Sequence, residues 1–335
     1  MKRVFISMFI ALMAIMTVHA QQIAVVSGST TTMCQTLAEA IEGAKSGSTI
    51  YLPGGGFQIA DKVTITKPLT IIGIGHKANG DNADGNTNIS GNITFDEGSS
   101  GSSVMGCYIS GSVKVGYNYN VDKYVGVNYV NNVVVKYCNI NDVSVSNNTC
   151  TGTIVNQNYI RNASYVGNSN TSFTNNILRG IVQIVGGTIN NNIFIGGVYT
   201  SASGYSNGNY AFLQTSGCSI YNNIFIAKAY DAYGNIVNLT SNNMVKTDYG
   251  DNCINIEEAD WNDVFEKYNN GEITPASSFK FTKDYQQYSN IGIYGGTGFS
   301  DSGMAPVPFI EAKDIPDKTD AAGMLKIKVR VKASE

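Results

Sequence analysis

Short apolar runs of three to five residues, separated by glycine, asparagine and serine, fill the chain from about residue 89 to residue 245. Several of them alternate apolar and polar residues, as in Val113-Lys114-Val115 and Val143-Ser144-Val145. This is the period of a half-buried β-strand. Helical segments do not separate the runs and two-residue hairpin turns do not recur, so the pattern favours a coil of parallel strands over a sandwich.

One phrase recurs among these runs: asparagine, usually paired, followed by an apolar run. It occurs at residues 175–178, 191–195, 222–226 and 242–245, with weaker copies at 138–140 and 157–160. Most copies are about 16–20 residues apart, with one longer interval, and such a period indicates stacked units that cannot bury their apolar faces alone. Asparagine tolerates the left-handed backbone of sharp corners. Asparagines on successive units can also hydrogen-bond in a stack, so we predict both roles for the repeated asparagines.

A helical pattern precedes the repeats, between residues 36 and 45. Leu37, Ala40 and Ile41 fall on one face of the predicted helix, and Thr36 followed by Glu39 forms a capping box. Alternating runs at 48–52, 63–65 and 69–72 then predict the first strands.

The composition changes near the C-terminus. Residues 257–265 hold the only tryptophan and the densest acidic cluster, and a tyrosine-rich stretch follows at 285–294. The final run, 324–332, alternates apolar and cationic residues, as a half-exposed edge strand does. We expect this tail strand to pair with the coil or to cover its open end.

The first twenty residues are typical of a signal peptide. Lys2 and Arg3 precede an apolar stretch from Val4 to Val18, which ends in a cleavage-like Val18-His19-Ala20. We therefore divide the chain into a signal peptide (1–20), a repeat domain (21–300) and a C-terminal tail (301–335). The expected location is extracellular, at the cell surface or in the periplasm, and no transmembrane segment is expected in the mature chain.

Charge and composition narrow the partners. Charged residues make up 14% of the chain and the net charge is −3, so no basic face is available for a phosphate backbone and nucleic acid is not an expected partner. Apolar residues make up 43%, which excludes an intrinsically disordered chain.

Three of the six cysteines, Cys107, Cys138 and Cys218, stand two residues before an isoleucine. Residues two apart on a strand share a face, so we expect these thiols to pack in the core. A disulfide between some pair is the alternative. No CxxC motif occurs, and His76, which we interpret as a loop residue, is the only histidine after residue 20. We therefore predict no metal and no other cofactor.

The phrase from Thr36 to Gly75 resembles the helix-capped first coils of pectin-lyase-like proteins. The phrases at 191–195 and 222–226 resemble the coil corners of that family, and Ser289–Phe299 resembles the phrase that closes the last coil in many bacterial members. The resemblance covers about residues 33–300. It implies an all-β fold: a right-handed parallel β-helix (a solenoid) with a short N-terminal capping helix and a C-terminal tail strand. The family includes lyases, hydrolases, esterases and adhesins, so the resemblance indicates a fold rather than an activity.

Candidate catalytic residues are few. A polysaccharide lyase needs a basic side chain, for which Lys136, Arg161 and Arg179 are candidates at nearly equivalent coil positions. Ordinary solubilising charges are the alternative interpretation. A glycoside hydrolase needs paired carboxylates, yet only Asp122 and Asp142 lie between residues 98 and 230. We interpret both as solvated turn residues.

Tyrosines cluster in two intervals that lack the asparagine phrase, and tyrosine-rich loops are typical recognition surfaces. The candidate ligand-binding residues are Tyr117, Tyr119, Tyr124, Tyr129, Tyr199, Tyr205 and Tyr210. Stacked aromatic ladders beside the coils are the alternative. The sequence therefore predicts an exported protein that binds a polysaccharide or surface glycan, or acts as a surface scaffold, without catalysis. A polysaccharide lyase or glycoside hydrolase is the alternative function.

Overall fold

The chain is mostly β-strand, with few helices. The computed structural model describes residues 22–77, 85–116, 129–146, 150–162, 164–178, 182–195, 198–199, 212–226, 229–230, 236–237, 252–256, 260–268, 273–274, 276–314, 316, 318–319 and 322–333. Within these ranges the helices are α1 (Leu37–Gly43) and α2 (Trp261–Val264), and the 3₁₀ segments are Lys283–Tyr288 and Gly292–Tyr294.

The strands are short, and several later ones turn a corner within their length. They are β1 (Ile23–Ser27), β2 (Thr30–Cys34), β3 (Ser48–Leu52), β4 (Gly55–Ile65), β5 (Leu69–Gly73), β6 (Thr87–Phe95), β7 (Ser103–Met105), β8 (Tyr108–Ile109), β9 (Val113–Val115), β10 (Val134–Lys136), β11 (Asn139–Ile140), β12 (Val143–Val145), β13 (Ile154–Asn156), β14 (Tyr159–Ile160), β15 (Ser164–Thr174), β16 (Ile177–Leu178), β17 (Val182–Asn190), β18 (Ile193–Ile195), β19 (Val198–Tyr199), β20 (Phe212–Tyr221), β21 (Ile224–Ile226), β22 (Ala229–Tyr230), β23 (Ile236–Val237), β24 (Ile254–Ile256), β25 (Phe265–Lys267), β26 (Ser278–Phe281), β27 (Pro308–Asp314) and β28 (Lys328–Ala333).

Parallel pairing arranges most of these strands in three ladders, which the chain visits in a fixed order. One passage of the chain through the three ladders is here called a coil. The first ladder contains β3, β5, β7, β10, β13 and the second halves of β15, β17 and β20. The second ladder contains the first halves of β4 and β6, then β8, β11, β14, β16, β18, β21 and β24. The third ladder contains the second halves of β4 and β6, then β9, β12 and the first halves of β15, β17 and β20. The predictions of an all-β chain and of parallel strands are confirmed.

The core is built from side chains that recur at one register position on successive strands. In the first ladder the buried column is Ile50, Ile71, Val104, Val135, Val155, Phe173, Ile189 and Ile220. The second ladder has an equivalent column that ends in Phe194 and Phe225, whose rings stack with centroids 5.0 Å apart. Because each residue packs on the same position of the next strand, no single strand buries its apolar face alone.

In the three described pairs, 175–176, 191–192 and 222–223, the two asparagines have different roles, and the fourth copy of the phrase, at 242–245, lies outside the described residues. The first one makes the corner between the first and second ladders: Asn175, Asn191 and Asn222 have positive φ, between 52° and 57°. Asparagine adopts this left-handed conformation more readily than other residues with a side chain. The predicted corner role is confirmed.

The second asparagine of each pair lies in the core and forms a hydrogen-bonded column. The Nδ2 atoms of Asn158, Asn176 and Asn192 each donate to Oδ1 of the asparagine on the next coil, at 3.1, 3.1 and 3.0 Å. The column continues to Asn223, and its four members are fully buried. Each Nδ2 atom also donates to a backbone carbonyl, so the amides satisfy backbone groups that the corner leaves unpaired. The predicted asparagine stack is confirmed.

Cys107 and Cys138 occupy, on two earlier coils, the position that the second asparagine of the pair takes in the later ones. Cys107 and Cys138 are free thiols with no exposed surface, and the backbone N–H of Cys138 donates to Oδ1 of Asn158. The predicted core packing is confirmed for these two residues. Cys218 is half-buried against the core.

Helix α1 begins where the sequence predicts. The backbone N–H of Glu39 donates to Oγ1 of Thr36 at 3.1 Å, and Oε2 of Glu39 accepts from the N–H of Thr36 at 3.2 Å. Leu37, Ala40 and Ile41 are buried in the same core as the first strands.

We predict that Thr36→Ala lowers the free energy of unfolding by about 1 kcal/mol, because it removes the N-cap acceptor of α1. Urea unfolding followed by circular dichroism measures the change. Thr64→Ala, at an exposed position of β4, is the matched control and should change stability by less than about 0.5 kcal/mol. An equal loss in both variants would show that the cap contributes nothing.

The described residues between 260 and 307, here called the strap, cover the outward side of the second ladder. Buried apolar residues of the strap pack against outward-facing side chains of that ladder, and Tyr268 donates a hydrogen bond to the Tyr159 hydroxyl. The strap contributes Val264, Phe265, Tyr268, Phe279 and Phe281, and the ladder contributes Tyr159, Ile177, Ile193 and Ile224. From Tyr159 to Ile226 the second ladder is therefore buried on both faces.

The strap then runs back along the asparagine corner. Its Gly292 N–H donates to the carbonyl of Asn222, and Nδ2 of Asn175 donates to the carbonyls of Ile293 and Gly295 at 2.9 and 2.7 Å. Farther on, the N–H of Ser300 donates to Oε1 of Gln157. The strap thus follows the corner from the later coils toward the earlier ones.

The alternating run at the C-terminus forms a strand, but it does not pair with the coil. β28 pairs antiparallel with β27, in a two-stranded sheet of their own. The side chains of Val329 and Val331 are 50% and 60% exposed. The expectation that this strand pairs with the coil is wrong, because β27 immediately follows the strap and supplies the pairing partner. Its alternative role, as a cover for the open end of the coil, stays a prediction.

Candidate functional site

Most of the predicted site residues lie outside the described part of the chain. The residues outside it are Tyr117, Tyr119, Tyr124, Arg179, Tyr205 and Tyr210, together with Asp122. Tyr199 is the last residue of β19 and pairs with Tyr230 of β22. Tyr129 lies just before β10 and is 61% exposed.

Lys136 and Arg161 are described, and they lie at different corners. Lys136 ends β10 and is in register with Asn156, whereas Arg161 follows β14 and so takes the position of Asn141. The expectation that these basic residues occupy equivalent coil positions is wrong, because Lys136 precedes the second ladder and Arg161 follows it. Nζ of Lys136 lies 4.8 Å from the centroid of the Tyr137 ring.

Arg161 spans three coils. Its Nη1 donates to the Tyr108 hydroxyl, and its Nη2 donates to the carbonyls of Ile109 and Ser110 at 2.8 and 3.2 Å. The guanidinium also lies over the Tyr108 ring, 4.7 Å from the centroid. A guanidinium keeps its proton in proteins, so Arg161 acts here as a hydrogen-bond donor that holds neighbouring coils together.

Asp142 lies at the same corner as Arg161 and is half-buried. Its Oδ2 accepts from Ser112 Oγ at 2.6 Å and from Asn141 Nδ2 at 3.0 Å, and its Oδ1 accepts from Ser144 Oγ at 3.3 Å. Asp142 lies in the turn between β11 and β12, as interpreted from the sequence, but its carboxylate is held in place by Ser112 of the preceding coil and by Asn141 and Ser144 of its own coil.

These residues form one surface cluster, here called the polar corner, between the second and third ladders. It consists of Tyr108, Ser110, Ser112, Asn141, Asp142, Ser144, Arg161 and Asn162. Nδ2 of Asn162 donates to Oδ1 of Asn141 at 2.9 Å, which links the last coil of the cluster to the one before it. Ser110 and Asn162 are exposed.

The polar corner presents hydroxyl and amide groups around a single carboxylate. Such groups can each donate and accept hydrogen bonds, so they match the hydroxyl groups of a sugar. Hydrolysis of a glycosidic bond usually uses two carboxyl groups that flank it, and this cluster contains one. Within the described ranges, no three histidine, cysteine, aspartate or glutamate side chains lie close enough together to hold a metal ion.

A second polar cluster lies where the strap crosses the end of β5, and sequence reasoning missed it. His76 is almost completely buried, and neither of its ring nitrogens has a hydrogen-bond partner among the described residues. Burial, with a smaller contribution from the charge of Lys77, lowers the pKa of His76 from 6.5 to about 3. The burial of His76 could not be predicted from its position in a loop, because the strap residues that cover it lie far away in sequence.

Lys77 ties the strap to this end of the fold. Its Nζ donates to the backbone carbonyls of Ser277 and Asp301, and the Tyr294 hydroxyl donates to Oδ1 of Asp301 at 2.7 Å. Burial lowers the pKa of Lys77, and Asp301 partly opposes that change. Burial and, after it, the charge of Asp301 raise the pKa of Tyr294 far above its usual range. These groups hold chain segments together rather than facing an open site.

Comparison with known proteins adds no relative: no protein-family model, curated protein or solved structure matches the chain. The resemblance to pectin-lyase-like proteins therefore stays a prediction from the sequence. None of the helices in the described ranges has the length and apolar character that a membrane span requires.

Proposed function

We propose that this protein is an exported right-handed parallel β-helix that binds glycans at the polar corner without chemical turnover. Two features support the β-helix: the chain visits the three ladders in a fixed order, and buried columns continue from coil to coil. Helix α1 supports the proposed N-terminal cap, because its apolar face joins the core beside the first strands.

The main support for glycan binding is the set of hydrogen bonds that Asp142 accepts. Three neutral donors hold this carboxylate at the surface, and a carboxylate has about four acceptor sites, so it can also accept from a bound hydroxyl group. Ser110 and Asn162 place further neutral polar groups at the exposed rim. A pre-ordered set of polar groups binds with a smaller loss of conformational entropy than a mobile one.

The charge of the site favours neutral glycans over acidic ones. Asp142 would repel a uronate carboxylate, and the guanidinium of Arg161 is already engaged by Tyr108 and two backbone carbonyls. For the same reason Arg161 is poorly placed to act as the base of a lyase. The polar corner thus supports binding better than catalysis.

A panel of neutral and acidic polysaccharides tests the proposed function. We expect the protein to be retarded in native gels that contain at least one neutral polysaccharide, with no new reducing ends and no unsaturated uronates after prolonged incubation. Turnover of any polysaccharide would favour the lyase or hydrolase alternative. Migration unchanged across the whole panel would contradict glycan binding and favour a surface scaffold.

A further inference from the structure

Cys107 and Cys138 occupy adjacent positions of the asparagine column. Tyr108 and Asn139 pair in register, and the N–H of Asn139 donates to the carbonyl of Cys107 at 2.9 Å. The two cysteines therefore lie side by side on neighbouring parallel strands. In the later coils of the same column, the side-chain tips of successive asparagines meet at 3.0–3.1 Å.

The two thiols have equivalent surroundings. Sγ of Cys107 donates to the carbonyl of Met105 at 3.3 Å and Sγ of Cys138 to that of Lys136 at 3.2 Å, and these two acceptors are in register. Sγ of Cys138 also lies 3.8 Å from the carbonyl of Val104, on the coil that carries Cys107. Neighbouring strands of a sheet are about 4.8 Å apart, which lies within the range of about 4.4–6.8 Å between Cα atoms that a disulfide spans.

We propose that Cys107 and Cys138 are a disulfide-forming pair that cross-links two neighbouring coils under oxidising conditions. In the reaction, a thiolate of one cysteine attacks a disulfide oxidant such as oxidised glutathione, and one reduced glutathione leaves. The second cysteine attacks the mixed disulfide and releases another reduced glutathione. The protein loses two protons and two electrons, and the oxidant takes them up as two thiols.

The burial of the pair determines when the bond forms. Both residues have no exposed surface, and the neighbouring Cys138 thiol, together with burial, raises the pKa of the Cys107 thiol. A buried, protonated thiol reacts slowly. The cross-link therefore forms while the coils assemble and is then protected from both oxidants and reductants in the folded protein.

The cross-link would fix the coils that carry most of the polar corner. Tyr108 directly follows Cys107, and Asp142 lies four residues after Cys138. The two cysteines are neighbours in the column whether or not the polar corner binds a glycan.

Oxidative refolding tests this proposal. The protein is unfolded with reductant and refolded with either reduced or oxidised glutathione, and remaining thiols are then alkylated in denaturant and mapped by mass spectrometry. With oxidised glutathione we expect a peptide pair joined by Cys107 and Cys138, and four alkylated cysteines out of the six. The cross-linked protein should unfold about 5 °C higher than the reduced one. Six alkylated cysteines in the refolded protein, or links that join other cysteines, would overturn the proposal.

Two variants separate the cross-link from misfolding. Cys138→Asn extends the asparagine column by one coil, so we expect it to fold and to leave Cys107 alkylated after oxidative refolding. Cys218→Ala removes a half-buried thiol from the first ladder and should keep the link between Cys107 and Cys138. Loss of the link in Cys218→Ala, or linkage of Cys107 to another cysteine in Cys138→Asn, would contradict the assigned pair.

Discussion

Replacement of Asn176 by alanine is expected to lower the free energy of unfolding by about 4 kcal/mol. The Asn176 side chain accepts from the N–H and from Nδ2 of Asn158, and it donates to the carbonyl of Val155 and to Oδ1 of Asn192. All of these groups are buried within the column, so water cannot replace the lost partners. A buried polar group left without a partner costs about 1–3 kcal/mol, and the variant creates more than one.

Urea unfolding followed by circular dichroism measures this loss. The matched control is Asn162→Ala, because Asn162 is exposed and makes a single side-chain bond to Asn141. We expect that control to change stability by less than about 0.5 kcal/mol. If Asn176→Ala cost no more than Asn162→Ala, the asparagine column would not stabilise the stack.

Acid is expected to destabilise the protein through His76. Its pKa is about 3 in the folded protein and near 6.5 in the unfolded chain, so between these values the unfolded state binds a proton that the folded state does not. The free energy of unfolding therefore falls as the pH falls, by about 1.4 kcal/mol per pH unit below 6.5. At pH 4.5 this contribution is a loss of about 3 kcal/mol.

His76→Leu separates this effect from other effects of acid on the protein. Neither ring nitrogen has a hydrogen-bond partner among the described residues, so leucine should replace the ring with little loss at pH 7. We expect the variant to be about 3 kcal/mol less sensitive than the native protein to a change from pH 7 to pH 4.5. If urea titrations showed equal acid sensitivity for the two proteins, burial would not lower the pKa of His76 in the folded state.

The two roles of the repeated asparagines could be predicted from the sequence, but not which asparagine of a pair performs which role. A paired asparagine before an apolar run indicated both a corner and a stack, and both are present. The sequence did not show that Asn175 makes the corner while Asn176 joins the buried column, because both residues can adopt either role. The structure also places Cys107 and Cys138 in that column, a continuity that their shared spacing to isoleucine only suggested.

The strap was missed, although the sequence contained a signal for it. Tyr108-Ile109 places a half-buried tyrosine before the inward isoleucine, as a strand with one partly exposed face does. Ile193–Ile195 and Ile224–Ile226 are instead apolar at every position, which is typical of a strand buried on both faces. A cover for this part of the second ladder could have been predicted, but its identity could not, since Tyr268 meets Tyr159 across 109 residues.

The polar corner was predicted only in part. Arg161 and Asp142 were both considered as candidates, but as separate charges on different coils. Their place in one cluster depends on the register of β11 with β14 and of β9 with β12. Register is set by the packing of whole columns. Local sequence gives no measure of it when the coils differ in length.

Binding of a neutral polysaccharide to the Asp142→Asn variant is the most direct test of the proposed function. With the polysaccharide that is retained by the native protein, we expect isothermal titration calorimetry to show at least a tenfold higher Kd, equal to about 1.4 kcal/mol, because the amide replaces an acceptor oxygen with a donor. Glu266→Gln makes the same chemical change at an exposed residue of the strap and should bind like the native protein. An unchanged Kd for Asp142→Asn, or an equal loss in both variants, would contradict glycan binding at the polar corner.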